Sequence, residues 1–235
     1  MKKKLLPTVI LTALCLAVTA CTRPPFDDTK NENQDETDEI TTEYFSGGDL
    51  WVPEDIDELA DLATDIVRAE IVSSRVERQN MLLRELKTEQ DWELFYIIYT
   101  VHELRVIETY KGDTQAGDII ETRQRGGRLD NSELIYENHL PLSPGDDLVF
   151  FLHCFEIRGY GHPLALVGGF QGIFKMPSLS RNMMNQLNEG IEKAFTADST
   201  ISDIELEALS PRNRLILTFD DLLRISEESR ANEQQ

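Results

Sequence analysis

The sequence predicts a mainly β fold with flanking helices, of the α+β kind, and three features predict it. Two long segments, 66–76 and 94–109, alternate apolar and polar residues at the two-residue period of a strand. Glycine-centred turns, Lys111-Gly112-Asp113 and Pro144-Gly145-Asp146, punctuate the middle of the chain. Beyond Met176 the apolar period changes to four residues, the spacing of a helix face.

The N-terminus is expected to be an export signal, residues 1–20. Lys2, Lys3 and Lys4 precede the apolar run Leu5 to Val18, which is followed by the small residues Thr19 and Ala20 and then Cys21. The apolar run is shorter than the ~20 residues a permanent spanning helix needs. Residues 21–48 are rich in Pro, Asp, Glu, Asn and Thr, and eight acids oppose Arg23 and Lys30. Such a segment buries no core and repels itself, so it is expected to be an extended, disordered tether.

Folded structure is expected from residue 49 onward. Pro53, Glu54 and Asp55 read as a helix start, and Ile56, Leu59, Ala60 and Ala63 recur at helical spacing. A strand follows, with Val67, Ala69 and Ile71 on one side and Arg68 and Glu70 on the other, then a charged loop or distorted hairpin over 77–91. In 94–109 Tyr96, Ile98, Thr100, His102, Leu104 and Val106 share one face. The opposite face passes from Phe95, Ile97, Tyr99 and Val101 to Glu103 and Arg105, as in a strand covered on both sides for half its length. Strands are also expected at 118–124 and 148–157, with a break at Gly126-Gly127 and bends at Gly168, Gly169 and Gly172. Leu179, Met183, Leu187, Ile191 and Phe195 form one helical stripe. Thr218 and Asp221 resemble a capping box opening a second helix through Leu222, Leu223 and Ile225, within a helical extension 177–229; fraying is expected after Glu228, with 230–235 a loose tail.

Three blocks carry a resemblance: DLATDIVRAEIV (61–72), YTVHELRVIETYKGD (99–113) and LSPGDDLVFFL (142–152), followed by Gly172-Ile173-Phe174. This series resembles a bacterial extracytoplasmic domain and is similar to the five-stranded OB-like barrel of tissue inhibitors of metalloproteinases and netrin modules. The resemblance covers about 55–176 and implies a barrel over 49–176, followed by two C-terminal helices. Val18-Thr19-Ala20-Cys21 likewise resembles the box of bacterial lipoproteins, which implies cleavage before Cys21, lipidation of its sulfur, and anchoring to the cell membrane on the extracytoplasmic side. Two or more acyl chains hold a protein at a bilayer where one does so marginally. The inhibitors' zinc-chelating start does not transfer: Cys21 is expected to be lipidated, and Arg23 stands where a second cysteine would be.

The formal charge is −20, and removing residues 1–20 takes away three lysines and no acid, giving −23. That charge excludes nucleic acid as a partner and leaves membrane attachment to the lipid. Of three cysteines Cys15 leaves with the signal and Cys21 takes lipid, so Cys154 has no disulfide partner and reads as a buried thiol.

No Gly-x-Ser-x-Gly elbow occurs, and acidic pairs such as Asp146-Asp147 and Asp220-Asp221 are expected in any chain this acidic. His102, His139, His153 and His162 lack metal-site spacing, so no cofactor or metal is expected, and His102 reads as a core histidine hydrogen-bonded to a neighbour. Arg123, Arg125 and Arg128 stand beside Gly126-Gly127. Composition favours their pairing internally with surplus Asp and Glu; the alternative is a ligand face carrying Arg123, Arg125, Arg128, Tyr136 and His139, because arginine grips carboxylate or phosphate bidentately and OB barrels bind on a strand face. The functional expectation is a non-enzymatic, membrane-anchored binding module whose partner is an envelope protein or glycan. The alternatives are a metal-assisted envelope hydrolase and a self-associating structural lipoprotein.

Overall fold

The computed structural model describes residues 40–46, 52–80, 96–154, 163–179, 181–191 and 203–233. The expected signal, Cys21, most of the tether, Phe195, His162 and the region 81–95 lie outside the described residues. Among the described residues the protein is mainly β, with eleven strands in two sheets and helices on one side.

Two sixteen-residue strands, β2 (Asp65–Asn80) and β3 (Tyr96–Lys111), form a long antiparallel pair with register shifts at three places. β2 therefore extends to Asn80, into the segment expected to be a loop or distorted hairpin. β3 pairs with β4 (Ile119–Arg125), and β2 pairs on its other edge with β7 (Asp147–His153). The short β8 (Leu164–Leu166) runs parallel to β4 and antiparallel to β7. From β7 the sheet continues through β9 (Ile173–Lys175), β10 (Glu205–Ala208) and β11 (Leu217–Thr218). β10 and β11 were not expected: two to four residues carry too little alternation to stand out.

The second sheet is small. β5 (Gly127–Leu129) and β6 (Ser132–Tyr136) form a hairpin, and β1 (Thr41–Phe45) adds parallel to β6. β1 corrects the expectation of a tether through residue 48. Its Thr-Thr-Glu-Tyr-Phe is β-branched and aromatic, and pairing with β6 outweighs the acidic context although every β1 residue stays exposed.

Helix α1 (Ile56–Leu62) starts three residues later than Pro53 suggests. Asp55 is its N-cap and accepts from Glu58 N at 2.8 Å, while Glu58 Oε2 accepts from Glu54 N at 2.7 Å. α2 (Arg181–Asn188) carries Met183 and Leu187 of the expected stripe, with Leu179 before it and Ile191 beyond it, and α3 (Phe219–Glu233) opens on the expected reciprocal box: Asp221 N donates to Thr218 Oγ1, and Thr218 N donates to Asp221 Oδ2. α3 continues through Glu233 where fraying was expected after Glu228, with Arg230 Nη2 donating one turn back to Ser226 Oγ at 3.0 Å.

The core divides across β7, whose apolar run is buried on both faces. Leu148, Phe150 and Leu152 join Val67, Ala69, Ile71, Leu104 and Val106 in one cluster. Val149 and Phe151 turn the other way, into a cluster holding Leu59, Ile66 and Phe174 together with Leu187, Ile191, Leu222 and Ile225 from the C-terminal region. The segment 177–229 thus shares a core with the β domain. The same interface holds an ion pair: Arg68, 1% exposed, donates to both oxygens of Asp147 and, through Nη1, to Asn188 Oδ1 at 3.1 Å. Glu108 Oε1 accepts from Ile191 N at 2.7 Å, just past α2.

Cys154 corrects another expectation, because it is exposed. β7 ends at His153, so Cys154 leaves the doubly covered part of the strand; its N–H donates to Thr64 Oγ1 at 2.8 Å.

Candidate functional site: an arginine and tyrosine cleft

The β3–β4 register sets Tyr99 opposite Arg125 and Val101 opposite Arg123. Residues two apart on a strand share a face, so both guanidinium groups stand on the Tyr99 side of the pair. Arg123 Cζ lies 4.8 Å from the centroid of the Tyr99 ring, and Arg125 Cζ lies 5.9 Å from that of Tyr136. Tyr136 in turn stacks on Phe45 of β1 at 5.7 Å. A strand expected to belong to the tether therefore backs a ring of this face.

The neighbouring acids are already engaged. Arg75 donates to both oxygens of Glu121, at 2.5 and 3.1 Å, and through Nε to Glu77 Oε2 at 2.9 Å. Gln79 Nε2 donates to Glu77 Oε1 at 2.6 Å, and Gln79 Oε1 accepts from Arg123 Nη1 at 2.5 Å. A neutral amide thus stands between Arg123 and the nearest carboxylate of this chain of contacts. Arg68, Arg75, Arg105, Arg212 and Arg224 all have carboxylate partners. Among the described residues, Arg123 and Arg125 have none. Desolvation lowers the Arg123 pKa from its ordinary value; the Tyr99 hydroxyl works against this, and the charge of Arg125 adds to it.

Gly126 and Gly127, with φ of 105° and 134°, then carry the chain from β4 into the small sheet. A side chain at Gly127 would press on Thr100 Oγ1 and Val76, so the turn depends on glycine. The turn divides the predicted residues. Arg128 falls on β5, exposed and opposite Glu133, and lines neither cleft described here. Tyr136 and His139 return to the β4 end, where the His139 Nδ1–H donates to Arg125 O at 2.9 Å.

Among the described residues, Arg123, Arg125, Tyr99, Tyr136, Asn138 and His139 line a cleft of about 240 Å³, to which Gln124, Ala165, Leu166 and Gly169 also contribute. Arg125 and Tyr136 also border a larger cleft of about 700 Å³ between β3 and the small sheet. The Tyr136 hydroxyl is buried and has no hydrogen-bond partner among the described residues.

Sequence reasoning placed Arg123, Arg125, Tyr136 and His139 on one face and missed Tyr99, Gln79 and Gln124. In the sequence Tyr99 reads only as an apolar position of β3, since pairing with Arg125 is a matter of register that no single strand displays.

His102 lies beneath the cleft, 1% exposed, with Nδ1 2.7 Å from Ser74 Oγ and Nε2 3.0 Å from Gln124 Nε2. Desolvation, and secondarily the charge of His139, push its pKa down to about 4. His153 Nδ1 lies 2.9 Å from Leu62 O. Among the described residues no three His, Cys, Asp or Glu side chains converge as a metal site, and no helix is long and apolar enough to cross a membrane. No protein-family model matches the chain, and a search of curated proteins returns no match.

Proposed function

We propose that the protein is a membrane-anchored, extracytoplasmic lipoprotein whose β domain is a non-enzymatic binding module, with its ligand seated between Arg123, Arg125, Tyr136 and His139. The observation that carries the binding assignment is the pair Arg123 and Arg125: two cations, stacked on tyrosines at a cleft, without an acid partner among the described residues of a chain whose formal charge is −20. Burying charge without compensation costs stability, and proteins commonly bear such costs where they bind. The box Val18-Thr19-Ala20-Cys21 and the acidic stretch behind it support the anchor and the compartment. The natural partner in this reading is an envelope protein or glycan that presents the bound group.

We also read the circuit β7–β2–β3–β4–β8–β7 as an OB-like barrel of five strands. The parallel pairing of Thr122 with Leu164 and the antiparallel pairing of Leu152 with Leu166 support it, since they link the two ends of the circuit. In that geometry the arginine face lies on the outside of strands β3 and β4, the surface OB folds use for ligands.

Intact-mass measurement of protein produced in a bacterial host tests the anchor. The expected species begins at Cys21 and carries a hydrocarbon adduct, and the Cys21→Ser variant loses that adduct. A dominant species that retains Met1, or that lacks any adduct, overturns the assignment.

A further inference from the structure

We propose that the 240 Å³ cleft binds a compact organic or inorganic dianion, a phosphate monoester or small dicarboxylate, gripped edge-on by Arg123 and Arg125. The inference rests on the binding reading above and adds the charge, the shape and the size of the ligand. Charge comes first. Two adjacent guanidinium groups repel each other; of the acids on their sheet face, Glu77 and Glu121 are held by Arg75, and Glu103, opposite Glu121, accepts from Ser73 Oγ. A single negative charge leaves one of the two arginines uncompensated; a dianion answers both.

Shape follows from the stacking. Each guanidinium carbon lies over a tyrosine ring, Arg123 over Tyr99 and Arg125 over Tyr136, and most of their N–H groups remain for the ligand. One Arg123 N–H is used by Gln79, and among the described residues the Arg125 guanidinium donates no hydrogen bond. Free edges of this kind match two oxygens on one carbon or phosphorus atom. Gln79 holds Arg123 in place without cancelling its charge, which a carboxylate at that position would do.

Size sets the upper limit. At about 30 Å³ per water, the cleft holds the equivalent of roughly eight waters, so the bound group is small or is the terminal group of something larger. Ala165 and Leu166 contribute apolar lining.

The test uses the full-length protein in detergent at pH 8 and constant ionic strength, titrated calorimetrically with inorganic phosphate, glycerol 3-phosphate, succinate and acetate. Phosphate, glycerol 3-phosphate or succinate is expected to bind one-to-one and at least tenfold more tightly than acetate. Arg123→Gln and Arg125→Gln should each weaken that binding at least tenfold, while Arg128→Gln leaves it unchanged. Glycerol 3-phosphate binding more tightly than phosphate points to a phospholipid headgroup as the source, and the reverse order to a free ion. Acetate binding as tightly as the dianions, with the same dependence on Arg123 and Arg125, overturns the dianion and leaves the binding cleft standing. No saturable binding of any probe, or binding indifferent to both arginine variants while the thermal midpoints show folded protein, overturns the dianion and the cleft together.

Discussion

The side-chain amide of Gln124 fixes the tautomer of His102. Gln124 Oε1 accepts from Leu140 N at 2.9 Å, and Gln124 Nε2 donates to Leu140 O at 3.3 Å, so the backbone of Leu140 determines which end of the amide carries the hydrogens. That NH₂ group faces His102 Nε2 at 3.0 Å, so Nε2 must present its lone pair. The proton therefore sits on Nδ1 and is donated to Ser74 Oγ. A doubly protonated ring would turn a second N–H against the amide in a site closed to water. The same amide ties the 138–140 segment, which bears Asn138 and His139, to the strand between Arg123 and Arg125.

His102 should make the protein sensitive to acid. Its native pKa of about 4 lies below the ordinary histidine value near 6.5. Above pH 6.5 both folded and unfolded chains hold the ring neutral and it contributes nothing to pH dependence. Between 6.5 and 4 the unfolded chain takes up a proton that the native site refuses, so stability falls, by up to roughly 3 kcal/mol, and levels off below 4. Glu108 acts in the opposite direction, since desolvation raises its native pKa and acid then favours the folded state. Urea unfolding of wild type against His102→Gln separates the two: the difference between the curves should shrink steadily from pH 7 to pH 4. A constant difference across that range contradicts the assignment.

The Arg68–Asp147 pair should be asymmetric. The Arg68 side chain is 2% exposed and that of Asp147 is 30% exposed. Asp147→Ala leaves a guanidinium sealed away from water with Asn188 as its remaining hydrogen-bond partner and Glu108 nearby, and a cost of about 3–5 kcal/mol is expected. Arg68→Met leaves a carboxylate that water reaches and fills much of the vacated volume, so its cost should be clearly smaller. Chemical denaturation of the two variants orders them, and equal losses contradict the asymmetry.

Much of this architecture is legible in the chain because it is local. The alternation through Tyr96 to Val106, the stripe Leu179, Met183, Leu187 and Ile191, and the Thr218–Asp221 box are each set by residues within a turn or two of one another. Register is not local. Pairing of Tyr99 with Arg125, or of β1 with β6, depends on which strands meet, and a period says only which residues share a face. The candidate site shows the same division. Arg123 and Arg125 were placed on one side by alternation, whereas the separation of Arg123 from acids depends on Arg75 and Gln79, 48 and 44 positions away in the chain.

Cys154 should react in the native protein. It lies just beyond β7 and is exposed, so a thiol reagent needs no unfolding to reach it. Titration with a chromogenic disulfide in the absence of denaturant is expected to show one rapidly reacting thiol that is lost in Cys154→Ser. Reaction that waits for denaturant would mean the side chain is covered.

Gly172 and Gly117 should respond very differently to the same added methyl group. At Gly117 the φ of +97° disfavours an L side chain, but nothing lies within 4 Å of the position a Cβ would take, so Gly117→Ala should cost about 1–2 kcal/mol of backbone strain. At Gly172 a Cβ would be driven against the carbonyl oxygen of Val167, with Phe151 O 3.2 Å away, and both obstacles are backbone. Neither can rotate aside as a side chain does. Val167 N donates to Phe151 O at 3.0 Å, so relieving the clash would disturb the connection that leads from β8 back to β9 along β7. Gly172→Ala should therefore cost at least twice as much as Gly117→Ala. It should also loosen the neighbouring wall of the cleft formed by Ala165, Leu166 and Gly169. Hydrogen exchange at Val167 and thermal unfolding of both variants give the two readouts, and similar midpoints for the two alanines would show that the turn between Val167 and Gly172 has slack.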